Sequence, residues 1–192
     1  MKSTPLLLLV PLALASFGLS SMAPQQPSSA HVWQQSEKTD PVRETTYTQF
    51  TLAGKFLTSP QGGVSNHPAL VLDCIPGKES HRPKGRFVGG NLLVGTTLKI
   101  DYFEPEEIHG TSYFRKVSVR YRMDNAKEEE EKWSIGTEKT SASIPKAWLK
   151  RMLRAHTVEI TANDGRGSPV AMQFDMPDPT PVEEGCDVDE RK

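Results

Sequence analysis

From Phe114 to Met123 the segment FRKVSVRYRM alternates between apolar and polar or charged side chains from Lys116 onward. Val117, Val119 and Tyr121 fall on one side of an extended chain, and Lys116, Ser118, Arg120 and Arg122 on the other. Strand side chains alternate with a period of two, whereas a helix needs apolar residues three and four apart. The segment therefore predicts a strand with one buried face and one wet face. That pattern belongs to an antiparallel sheet packed on one side.

Several other segments repeat the signal. TYTQFTLAGKFL puts Phe50 and Leu52 on one face, with Gln49 and Thr51 on the other. PALVLDCI is a short continuous apolar run, expected as a strand covered on both faces. GRFVGGNLLVGTTLKIDYF reads as two strands with a turn near Gly95, and the Gly89–Gly90 pair suggests a bulge or bend. DNAKEEEE reads as a turn and KWSIG as a short strand after it. HTVEITA and PVAMQFDM are further strands, joined by the turn DGRG. Only IPKAWLKRMLRAH has helical spacing, with Trp148, Leu149, Met152 and Leu153 in one stripe. Pro145 suits its first turn and Ser143 is placed to cap it. The expected fold is mainly β, an antiparallel sandwich-like domain with one amphipathic helix in an α+β crossover. Trp133 and Trp148 are its expected structural anchors, the first closing a strand and the second holding the helix on the sheet.

The 192 residues are expected to make one domain with tails, and an apolar fraction of 36% suffices for a single modest core. Residues 1–23 begin with one lysine, continue with an apolar run from Leu6 to about Leu19, and end with Ser21 and Ala23 at the spacing of a cleavage site. They read as a secretory signal peptide. The run is short for a membrane span and holds Pro11, Ser16 and Gly18, so no transmembrane anchor is expected after cleavage. Residues 24–44, rich in Gln, Ser and Pro, read as a flexible leader. The β domain is expected over 45–176, and 177–192 as an acidic, proline-rich tail. The only two cysteines, Cys74 and Cys186, form an even count in a chain with an export signal. This argues for a disulfide that pins the tail to the body. The acids around Cys186 disfavour the alternative of a reactive thiol.

A net charge of −1 gives no global field toward nucleic acid or an anionic membrane. The basic row Lys116, Arg120 and Arg122 is a candidate face for an acidic partner or an anionic cell-wall polymer. Its plainer reading is a solvated sheet face balanced by acids, which the run Glu128–Glu131 can supply. Glu104, Glu106, Glu107 and His109 offer a possible acid–base or metal cluster, but an exposed acidic loop explains them as well. None of the five histidines has HxxxH or HExxH spacing. The hydroxyls of WSIGTEKTSAS lack a GxSxG or SxxK context, so turns and a cap account for them. Neither GRFVGG nor DGRG has phosphate-loop spacing. No catalytic residue, metal site or cofactor is expected.

The order of these motifs carries a resemblance. QFTLAGKF leads to PALVLDC; then come VSVRYRMD, a charged gap, KWSIGTEKTSASIP, the helix AWLKRML, HTVEITA, MQFDM and a late GC. This resembles the VasI-like exported proteins associated with bacterial type VI secretion, over about Phe50 to Cys186. The longer leader, the acidic run at 128–131 and the segment between Cys74 and Val117 depart from that pattern. The resemblance implies a periplasmic or secreted bacterial β domain, without catalysis, whose bridge is Cys74–Cys186. Arg122, Asp124 and Trp133 match its motifs without a role to carry over. The expected function is thus an exported envelope-associated binding or accessory protein, with another envelope or secreted protein or a cell-wall polymer as partner. It acts through a β-domain surface and is linked to a secretion apparatus. Two other classes compete: an exported hydrolase using the Glu104–His109 loop, and a secreted inhibitor or effector domain.

Overall fold

A computed structural model of the chain describes residues 32–41, 44–58, 67–75, 85–100, 102–105, 113–136 and 138–187. The signal-peptide reading of 1–23 lies outside them. In chain order the elements are β1 (Gln34–Asp40), β2 (Thr45–Ala53), β3 (Lys55–Phe56), β4 (Ala69–Ile75) and β5 (Gly85–Leu93). They continue with β6 (Tyr102–Pro105), β7 (Tyr113–Met123), β8 (Glu129–Ile135), β9 (Ser141–Ser143) and α1 (Lys146–Arg154). The last are β10 (Thr157–Asn163), β11 (Pro169–Asp175), α2 (Thr180–Gly185) and β12 (Cys186–Asp187).

The class is the expected one, mainly antiparallel β with few helices. The strands make one sheet, in the order β1-β2-β4-β5-β9-β8-β7-β10-β11-β3, with β6 beside β7 and β12 beside β5. Only Gly54 separates β2 from β3. β2 pairs with β4, and its continuation β3 pairs with β11 at the far end of the path. The sheet therefore curls until its last strand runs into one of its first, rather than splitting into the two layers of a sandwich. Gly54 is where this seam closes: a Cβ there would sit 2.5 Å from the Phe174 ring and 2.8 Å from Gln173 O.

The inward residues follow the alternation. Phe50, Leu52, Leu70, Leu72, Leu92, Val117, Val119, Ile160, Met172 and Phe174 are all fully buried. The helix α1 connects β9 to β10, the expected crossover, and buries Trp148, Leu149, Met152 and Leu153. At β4 the register slips between Asp73 and Cys74, so Asp73 faces Gly89 and Cys74 faces Phe87. This is the irregularity that the Gly89–Gly90 pair suggested. Cys74 and Cys186 are bonded, with Cα atoms 5.7 Å apart.

Four segments differ from expectation. The supposed leader 24–44 contains β1, which pairs along its full length with β2, and Trp33 before it is buried. The tail through Asp187 is α2 and β12, with Val182 in the core. Ser143 does not cap α1; it sits in β9 opposite Asn91, and the helix starts after Pro145 without a side-chain cap. The acidic run is not only a turn: the chain turns at Asp124–Ala126, and Glu129, Glu130 and Glu131 open β8.

Candidate interaction surface

β7 lies between β8 and β10, so the outer face of this trio is built from three alternating strands. Opposite residues share a face in an antiparallel pair. Arg120 therefore stands beside Glu130 on β8 and Thr161 on β10, and Arg122 stands beside Glu159. Lys116 stands beside Ser134 and donates to its hydroxyl at 3.3 Å. The structure thus brings Lys116, Arg120 and Arg122 onto one outer face, as the alternation predicts.

The face is not a basic one, however. Arg122 is bonded to Glu159, and Arg120 lies 3.7 Å from Glu128. Ser118 donates to Glu130 Oε1 at 3.0 Å and accepts from Lys132. The result is a mixed-charge lattice around a shallow depression of about 330 Å³, lined by Ser118, Arg120, Glu130, Lys132, Thr161 and Asn163. The balancing acids come partly from the 128–131 run, as expected, and partly from Glu159.

The run splits between two faces because β8 has a period of two. Glu129 and Glu131 turn to the side of Tyr121, where Trp133 and Trp148 also lie. The two indoles meet edge-on, with centroids 4.9 Å apart, and both are buried; the anchors expected at Trp133 and Trp148 form one cluster with Tyr121. The Tyr121 hydroxyl is 2.8 Å from Glu129 Oε2 and 2.9 Å from Glu131 Oε1. The Trp133 Nε1–H donates to Glu131 at 3.2 Å, and Arg151 of α1 forks onto Glu129 at 2.6 and 3.1 Å. Arg151, then Tyr121, hold the Glu129 carboxyl down at about 2. Burial, then the two glutamates, push the Tyr121 phenol above the usual tyrosine range. This cluster ties helix to sheet, and its aromatic members were readable in the sequence. The sequence marks its carboxylates Glu129 and Glu131 only as part of an acidic run balancing the basic row, although their spacing to Tyr121 on a hairpin is a cross-strand signal.

Asp124 takes a left-handed conformation (φ 51°) at the β7–β8 turn, and its carboxylate accepts from the backbone N–H groups of His156 and Thr157, each at 2.8 Å. Those bonds, Thr157's first, lower its pKa. The motif residue Asp124 is thus a staple between the β7 turn and the start of β10. Of the Glu104–His109 loop, only the backbone at Glu104 and Pro105 falls within the described residues. Among the described residues no group of three His, Cys, Asp or Glu side chains is placed to hold a metal ion, and no helix is long and apolar enough to cross a membrane.

Compared with protein-family models, with curated proteins and with solved structures, the chain gives no match.

Proposed function

We propose that this is an exported binding or accessory protein of the bacterial envelope, periplasmic or secreted, without a catalytic role. It acts through the outer face of β8, β7 and β10 on an acidic partner, an envelope protein or a cell-wall polymer. One observation carries the reading: Lys116, Arg120 and Arg122 stand in a row whose acidic neighbours are exposed. Arg120, Glu128, Arg122 and Glu159 each keep more than a third of their side-chain surface in solvent. Exposed ion pairs are worth about 0–1 kcal/mol, so a partner's carboxylates or phosphates can replace these internal acids at small cost. The Cys74–Cys186 bond agrees with an oxidising compartment. The link to a secretion apparatus rests on the VasI-like motif order alone.

The test is affinity capture from an envelope fraction, with the captured component identified by mass spectrometry. Arg120→Gln with Arg122→Gln removes the charge without setting new acids against Glu128 and Glu159. Loss of the captured component is expected. Undiminished capture by the double variant removes this face as the site.

A further inference from the structure

A second depression, of about 310 Å³, lies on a different part of the barrel wall, over β1, β2 and β4. It is lined by Lys38, Thr39, Asp40, Pro41, Tyr47, Gln49 and Asp73. Its volume is at the lower end of ligand clefts, about 300–1,000 Å³. The register explains the arrangement: Lys38 stands opposite Tyr47 on the outer face, and Gln49 opposite Asp73. Two rings, Tyr47 and Pro41, supply flat apolar surface. Gln49 Nε2 donates to Asp73 Oδ1 at 2.8 Å, which fixes both side chains and leaves Asp73 Oδ2 and Gln49 Oε1 as acceptors. Lys38 lies in the same lining and brings a cationic donor.

Beyond the lining of the depression, Asp73 has a neighbour in the sheet. Its cross-strand neighbour on β5 is Gly89, and no described atom lies within 4 Å of where a Gly89 Cβ would be. Gly89 lies in β5 and its φ is not in the left-handed region, so the backbone does not require glycine here. The strip thus runs from an aromatic ring, through a braced amide–carboxylate pair with a donor beside it, to bare backbone. We infer that it binds a pyranose ring of a neutral glycan. The apolar C–H face of such a ring covers Tyr47, while its hydroxyls reach Asp73, Gln49 and Lys38. A phosphorylated or acidic ligand fits worse, because it would meet the Asp73 carboxylate in the lining. This site is separate from the Lys116–Arg120–Arg122 face, which β5 and β9 hold apart from it in the sheet. It goes beyond the function proposed above, and either can fail alone.

The experiment titrates the full chain with the soluble trisaccharides of glucose and of N-acetylglucosamine, following by NMR the backbone amide resonances of Gln49 and Asp73, which every variant keeps. A saturable shift with either sugar is expected. Tyr47→Ala and Gly89→Val should each weaken it by at least about tenfold, and Tyr47→Phe should retain it. Gly89→Val adds a strand-favouring residue in open space, so it blocks the strip without loss of fold, which circular dichroism checks. No shift at millimolar sugar overturns the inference. So does binding that survives both Tyr47→Ala and Gly89→Val, or a site that responds to inorganic phosphate or an acidic peptide instead.

Discussion

The Tyr121 hydroxyl has one proton and two carboxylates within reach, and Arg151 pairs with one of them, Glu129, and holds it as an anion. Because the folded Glu129 stays ionised down to about 2, against 4.5 for the free side chain, the unfolded chain takes up a proton first as pH falls. Its contribution to stability is whole above 4.5 and is lost as pH drops toward 2. Denaturation of Arg151→Gln should accordingly show a shallower acid decline across that window than the parent chain. The phenol works in the opposite sense. Its folded pKa is raised, so Tyr121 loses stability as pH climbs past 10, and alkaline difference absorbance should show one tyrosine that ionises only on unfolding. The two clustered tryptophans differ in one atom's surroundings. Trp133 Nε1 has Glu131, whereas Trp148 Nε1 is buried without a hydrogen-bond partner among the described residues. Replacement by Phe should therefore cost about 1 kcal/mol more at Trp133 than at Trp148 in urea denaturation, after similar losses of volume.

At the scale of elements, one close approach falls at Gly54, where β2 passes into β3. Gly54→Ala pushes a methyl into the Phe174 ring and Gln173 O, and overpacking of this kind typically costs about 1–3 kcal/mol. Ser143→Ala, at the residue that looked like a cap, should cost under about 0.5 kcal/mol by the same thermal or urea measurement. The strands with an alternating pattern, β2, β7, β10 and β11, and the striped helix α1 were readable because burial on one face writes itself into the sequence. β1 was not: QQSEKTD is exposed along nearly its whole length, and backbone bonds to β2 hold it rather than apolar side chains. β8 was read short for another reason. A run of identical glutamates cannot display alternation, although its members face opposite ways. Of the candidate surfaces, the cationic row was visible in one strand, but its neutralisation by Glu159 and the Tyr47–Asp73–Gly89 strip depend on pairings across separate segments.

For the molecule as a whole, the Cys74–Cys186 bond closes a loop of 112 residues that ties β4 to β12. Removal of a native disulfide typically costs about 2–5 kcal/mol, with a chain-entropy figure of about 4.7 for a loop near this length. Equilibrium unfolding with and without reductant should show a loss in that range, and mass mapping of the unreduced chain should recover the two cysteines in one linked peptide pair. The seam at Gly54 sets a different constraint, on timing. Lys55 and Phe56 pair in the sheet with Gln173 and Met172, so the wall cannot become continuous until β11 has been made. Until then the nascent polypeptide is an open ribbon with an unpaired margin, and pairing between such distant segments is slow to form. Synthesis and folding are thereby ordered: the first strands wait for the last, and a chain halted before β11 has no way to finish its wall.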